Sequence, residues 1–505
     1  MLLSTMVPRF LIQSADEYHW RMKVAQLHFH LRRGGVASVM LHQVRSLAES
    51  EEDVETVLVV GAPPEAKAPV PCIVVPGLDY DSLAKEEAGN PTDAESLADD
   101  IEQAVSRAFP GGCDLIHVHN PLIRKNRRLL GALRRLRERG QAFLVQVHDF
   151  AEDFRPEVYD GEGPYPFDCD YATINGRDRD RLVASGLEAD RVHFLPNPVA
   201  AHDGFDPRSS YAVEVARGRR TLLYPVRAIG RKNIGEALLL ARFLPEGAEL
   251  AVTLPPTSPG DGKVYRGWRE LAAAQGLRIR FEAGLGQSLD ALYGSSFGVV
   301  TTSVKEGFGY SYIDPLVRGL PVAGREIPHI IGDFAERGLH FDRLYRGIAI
   351  PRSSLPDGLL EEAVESRLSA FKRVYGPLFG SDRARLETRL ASLRLRFKEE
   401  LVDFGALDPG LQSFILVKMD RDSGFQGEIA TLNPFLVGLF EASPDPAEAG
   451  RLRDAALSGY SEATYAKALV AAYRSAADGR ARGEIDRARL LESYLEASSF
   501  FLCAS

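Results

Sequence analysis

The stretch Glu306-Gly307-Phe308-Gly309-Tyr310-Ser311-Tyr312-Ile313-Asp314 comes just after an apolar run, FGVVTTS, at 297–303. The run predicts a buried strand, and the residues after it a glycine loop leading into a helix. Glycines at 307 and 309 let a ligand approach the backbone closely, and the N–H groups that open the helix favour phosphate. Glu306 stands before the helix and Asp314 in its second turn, so two carboxylates can hold the sugar and ribose hydroxyls of one extended ligand. The stretch is not a dinucleotide fingerprint, because Tyr312 stands where the third glycine of GxGxxG belongs.

Outward from this stretch, strand and helix patterns alternate. Before it come the strand-like runs TLLYPVR (221–227), ELAVTLP (249–255) and IRFEAG (279–284), with helical patterns at 234–241, near 268–274 and near 289–293. The first half of the chain repeats the theme. KVAQLHFH, ETVLVVG, PCIVVPG, DLIHVHN, FLVQVHDF, YATING and VHFLPN read as strands, and 36–48, 96–108, 126–139 and 177–185 as helices. Such alternation predicts βαβ units and mostly parallel sheets. The stretch 196–220 is rich in turn formers and charge and reads as a linker. The expected organisation is α/β: a first Rossmann-like domain at 1–205, a second at 206–380 and a helical extension at 381–505, with long amphipathic patterns at 383–401 and 461–476.

Ligands of open parallel sheets sit beyond the carboxyl ends of the strands. Three further places of this kind carry polar or glycine-rich groups. Arg32-Arg33-Gly34-Gly35 follows the opening strand and offers a tight turn, close backbone approach and helix N–H groups. His148-Asp149 follows FLVQV, where an imidazole can donate to a substrate hydroxyl or carry a proton. Arg227 and Lys232, in PVRAIGRKN, flank a loop that opens a helix, so both can reach a diphosphate and neutralise a leaving group. The pairs His28/His30 and His117/His119 lie on strand faces without a third ligand at suggestive spacing and are read as structural.

Bulk properties exclude several classes. The chain has 505 residues, 45% of them apolar, and a net charge of −9, which does not suit a nucleic-acid binder. Four scattered cysteines give neither a disulfide framework nor a zinc site. No run approaches the ~18 apolar residues of a membrane span, and the first twenty residues lack a basic n-region and apolar core, so a cytoplasmic location is expected. The segment Arg124–Arg139 is strongly basic, with Leu129, Leu130, Leu133 and Leu136 available for one buried face. It reads as the solvated face of a crossover helix, or as weak contact with a membrane surface or phosphorylated acceptor. Oligomeric state is not legible.

Taken together, RRGGV, VHD, RAIGRK and EGFGYSYID, in this order over residues 20 to 350, resemble the family-4 retaining glycosyltransferases of the GT-B fold. The resemblance implies two Rossmann-like domains facing across a cleft, with part of the C-terminal extension crossing back to the first. It implies transfer of a hexose from a UDP-, GDP- or ADP-sugar to a hydroxyl acceptor, with no covalent intermediate and no required metal or other cofactor. Arg227 and Lys232 would bind the donor phosphates, helped by the amides near Gly34 and Gly35. Glu306 and the backbone of Gly307, Phe308 and Gly309 would contact the donor sugar, Asp314 the ribose, and His148 the transferred sugar. Asp314 is one methylene shorter than the family's usual glutamate. The competing readings are a sugar-nucleotide epimerase or phosphorylase on the same fold, and a non-catalytic sugar-nucleotide or glycan-binding protein.

Overall fold

The computed structural model describes residues 21–32, 34–65, 67–81, 93–161, 163–202, 220–440, 445–478 and 483–504. Arg33, most of the linker (203–219) and the boundary between 205 and 206 lie outside the described residues.

The first lobe is a seven-stranded sheet of β1 (Met22–His28), β2 (Val54–Val60), β3 (Cys72–Val74), β4 (Leu115–His119), β5 (Phe143–Val147), β6 (Asp170–Thr173) and β7 (Val192–Phe194). Its order is β3-β2-β1-β4-β5-β6-β7, and every pairing is parallel. β4 and β5 are buried at every position, as expected of strands covered on both faces. The second lobe has six strands: β8 (Arg220–Arg227), β9 (Ala248–Leu254), β10 (Ile279–Arg280), β11 (Ser296–Thr301), β12 (Val322–Arg325) and β13 (Leu344–Tyr345). They run β10-β9-β8-β11-β12-β13, again all parallel. Strand order reverses between β1 and β4 in one lobe and between β8 and β11 in the other, which opens a crevice at each carboxyl edge. The predicted strands fall in these sheets. β12 and β13 were not anticipated.

The extension winds over both lobes. The predicted helix over 383–401 ends at Leu395. Leu401–Asp403 instead forms a strand antiparallel to Ala349–Pro351, because long-range pairing there outweighs helix propensity. The helix Pro446–Tyr460 packs on Tyr310–Val317 in the second lobe. The next helix, Glu462–Ala477, lies on the first sheet, where the Tyr473 hydroxyl accepts from Gln26 Nε2 at 3.2 Å. Tyr465, Leu469, Val470 and Tyr473 complete a core with Val24, Leu115 and Leu144. Arg487–Tyr494 then packs on Gly176–Ala184, with Tyr494 donating to Asp178 Oδ1 at 2.8 Å. Finally Phe500 and Leu502 return to the core of the second lobe, and Leu502 N–H bonds to the Ala406 carbonyl at 2.9 Å.

The basic segment forms the helix Leu129–Glu138, whose four leucines are buried. Its arginines meet the acidic helix Ala94–Ala108. Arg135 pairs with Glu95 at 3.1 Å, and Arg139 with Asp99 and Glu102 at 2.7 and 2.6 Å. Among the described residues no helix is long and apolar enough to cross a membrane.

Candidate active site

At the carboxyl edge of β8, Pro225 interrupts the ladder: its ring nitrogen has no N–H to give. The register with β9 shifts between Tyr224 and Arg227, as at a bulge, which re-aims the side chains that follow. Arg227 Nη1 donates to the Pro255 carbonyl at 3.0 Å. The chain continues through a 3-10 turn, Gly230–Lys232, and Asn233 takes a left-handed conformation (φ 49°) to start Ile234–Ala241. Tyr224 donates to the Lys232 carbonyl at 2.6 Å, and Thr302 to the same carbonyl at 3.1 Å. These bonds clamp the loop between the ends of β8 and β11.

The clamp brings Lys232 and Glu306 together: the ammonium donates to Glu306 Oε1 as a buried ion pair. Burial alone would push the Glu306 carboxyl up, but Lys232 and Arg231 pull it below the usual range, so it stays ionised. Lysine has three N–H donors, so one held by a carboxylate leaves others for a phosphate.

Glycines 307 and 309 also have a role in packing. A Cβ on Gly307 would lie 2.9 Å from Ile174 Cδ1 and 3.0 Å from the His148 carbonyl, both in the first lobe. Gly309 has φ 95°, and a Cβ there would meet Ile330 at 2.6 Å. Gly35 is different: a Cβ there would meet nothing within 4 Å, and Gly34 is extended (φ −177°). Nothing in the packing of the described residues therefore requires glycine at 35. Phe308 turns its ring into an aromatic cluster with Tyr310, Phe334 and Tyr460, leaving only its backbone for a ligand.

Asp314 sits in the second turn of Tyr310–Val317, and among the described residues no contact joins it to Lys232 or Glu306. Burial raises its carboxyl to about 6, only partly opposed by Arg318.

Across the cleft, His148 and Asp149 end β5, with both backbone N–H groups donating to Asn120 Oδ1 at 3.1 Å. His148 Nε2 lies 3.1 Å from His119 Nδ1, so one ring donates to the other and Nδ1 of His148 is left. Burial lowers His148 to about 4, against a smaller opposing pull from Asp149, and the ring is neutral near pH 7. Burial would raise Asp149, but Arg155, Arg231 and Lys305 bring it down to about 2. The pairs His28/His30 and His117/His119 join no metal-binding group among the described residues.

Several residues of this cleft escaped the sequence reading. Arg231 Nη1 approaches Asp149 Oδ1 at 4.0 Å across the lobes. Asn175 caps Gly176–Ala184 and also donates to the Gly307 carbonyl at 2.9 Å. Lys305 reaches Asp153 Oδ2 at 3.1 Å. Only the capping role of Asn175, ahead of a helical pattern, had a local signal; the others depend on the juxtaposition of the lobes.

Two doubly wound parallel sheets with their carboxyl edges facing across such a cleft, and a C-terminal extension that crosses between them, are the GT-B architecture. The solved structure of Anabaena HepE in complex with UDP and glucose has the same fold, with a TM-score of 0.52 at 12% identity, over 90% of this chain and 100% of that one. HepE in complex with UDP gives a TM-score of 0.50, at the same identity and coverage. In sequence, the chain is 23% identical over 421 residues to mannosylglucosyl-3-phosphoglycerate synthase of Petrotoga mobilis, spanning 76% of this chain and 79% of the relative. No protein-family model matches the chain.

Proposed function

We propose that the protein is a retaining glycosyltransferase that moves a hexose from a nucleotide-sugar to a hydroxyl acceptor. The observation that carries this reading is the buried Lys232–Glu306 pair at the switch point of the second sheet, facing His148 and Asp149. The crystallised relative of like fold is described with UDP and glucose, and the sequence relative is named as a synthase of a glycosylated phosphoglycerate. Both support a sugar-nucleotide donor.

In this reading Arg227, Lys232 and the amides near Gly34 and Gly35 hold the diphosphate. Glu306, with the backbone at Gly307, Phe308 and Gly309, holds the sugar, and Asp314 meets the ribose. The bond between the anomeric carbon and the phosphate oxygen breaks, and its electron pair stays on the phosphate. The acceptor oxygen attacks from the same face, and its proton passes to the departing phosphate. The cations stabilise charge that grows on the leaving group, which is where a preorganised site gains most. Neutral His148 offers a hydrogen bond to the transferred sugar.

The test is a panel of UDP-, GDP- and ADP-hexoses, with nucleotide release followed with and without hydroxyl acceptors. Acceptor-dependent release with retained anomeric configuration supports the reading. Nucleotide binding without release from any donor overturns it in favour of a binding protein. Because side chains and helix N–H groups serve the diphosphate, the reaction is proposed to need no metal. Turnover persists in EDTA on this account, and a loss rescued by Mg²⁺ refutes it.

A further inference from the structure

Lys305, the neighbour of Glu306 along the chain, lines a cavity of about 750 Å³. That is room for a small metabolite, within the usual span of ligand pockets. Three parts of the chain enclose it: Asp153 and Arg177 from the first lobe, Lys305, His329 and Arg346 from the second, and the C-terminal turn Ala497–Ser499. Its lining carries five lysine or arginine side chains against three carboxylates.

Not all of those cations are available. Arg177 is bound to Asp153 at 2.9 Å, and Arg325 is held by Glu236 and Asp403. Lys305 spends two of its three N–H groups on Asp153, one on the carbonyl and one on the carboxylate. Arg346 is largely exposed, and among the described residues its ion pair is with Glu326 at 3.4 Å. These two therefore have donors to spare for an incoming anion.

His329 adds a second kind of group. It stands in the first turn of Pro328–Ala335, where helix N–H groups also favour negative charge. Its ring meets the Glu306 carbonyl, while Nε2 is buried with no partner among the described residues. Burial holds the ring neutral, so that nitrogen is an acceptor for a hydroxyl. Donors for an anion and an acceptor for a hydroxyl thus line one cavity, and His329 ties its wall to the backbone of Glu306.

We propose that this cavity takes the acceptor, and that the acceptor is a small hydroxylated anion whose phosphate or carboxylate is met by Lys305 and Arg346. The inference rests on the transferase reading and narrows its acceptor class.

Glycerol 3-phosphate and glycerol, titrated calorimetrically into the 505-residue protein, differ by the phosphate that the cavity's cations would meet. Glycerol 3-phosphate should bind, glycerol should not, and saturating UDP should leave the phosphate site open. Lys305→Met and Arg346→Ala should each weaken glycerol 3-phosphate about tenfold, the loss of a charge-assisted bond, with UDP affinity within about twofold. Arg346 is exposed, so its variant folds even if Lys305→Met does not. Equal binding of glycerol, competition by UDP, no binding of glycerol 3-phosphate, or unchanged affinity in Arg346→Ala overturns the proposal. Failure of the transferase reading looks different: no hexose donor releases its nucleotide, whatever the phosphate ester does.

Discussion

Lys232 and Glu306 each keep the other charged inside a cleft that would otherwise neutralise both. Replacing Glu306 by Gln keeps the shape and removes the counter-charge. We expect kcat/KM to fall by about 10²-fold or more, the scale of losing one preorganised polar contact to a transition state, and the melting temperature to fall as well, because the buried ammonium loses its counter-charge. Steady-state kinetics decides, and a variant within threefold of wild type, on the order of 0.7 kcal/mol, sinks the role. The buried histidines make a separate prediction. His28 and His117 are lowered by burial to about 3, and His148 to about 4. In the unfolded chain these rings titrate near 6.5, so below that pH the unfolded state binds protons the folded state refuses. Stability should fall as pH drops from about 6.5 toward about 4, by roughly 2 kcal/mol per ring by about pH 5. Melting curves from pH 7.5 to 4.5 check this, and a flat melting temperature refutes it. The sequence placed His148 at a strand end and the pairs His28/His30 and His117/His119 on strand faces but could not show them gathered around His119, because β1, β4 and β5 become neighbours only in the sheet.

Among the elements, β12 shows why part of the fold was illegible. Its sequence, VAGR, has a glycine at its centre and a proline on each side within a few residues, so neither alternation nor propensity marks a strand. The structure supplies the reason: Gly324 has φ 130°, and a Cβ there would lie 2.0 Å from the Thr301 carbonyl of β11. Arg325, the next residue, donates to Glu236 and Asp403 at 2.6 and 2.8 Å, tying β12 to Ile234–Ala241 and to the extension. Arg325→Met would leave buried Glu236 and half-buried Asp403 without the guanidinium between them and should cost about 3–5 kcal/mol; denaturant titration reads it, and a loss under about 1 kcal/mol contradicts this account. By contrast β8 and β11 were plain from their apolar runs, and with them the loops bearing Arg227, Lys232 and Glu306. Gly307 was legible as a close approach, but its partner proved to be the backbone of His148 as well as any ligand. Gly307→Ala should therefore push the lobes apart at that point, lowering activity at least about tenfold, as small misplacements do, while each lobe stays folded by circular dichroism. An active Gly307→Ala enzyme would argue against that contact.

For the molecule as a whole, the extension matters more than its amphipathic pattern suggested. The sequence revealed helices there without saying which surface they cover, since an apolar face names no partner. Truncation after Tyr460 would uncover Val24, Leu115, Leu144 and their neighbours at the first sheet. We expect such a chain to aggregate or to lose the first lobe's cooperative unfolding, followed by calorimetry and size exclusion. A monomer with an intact first transition would refute that. The bond between Gln26 and Tyr473 closes a loop of 447 residues. A protein made from its amino end cannot form that bond until residue 473 has been made. The first lobe must therefore wait through synthesis of the second before its core is sealed, and until then its apolar sheet face depends on chaperones or on speed.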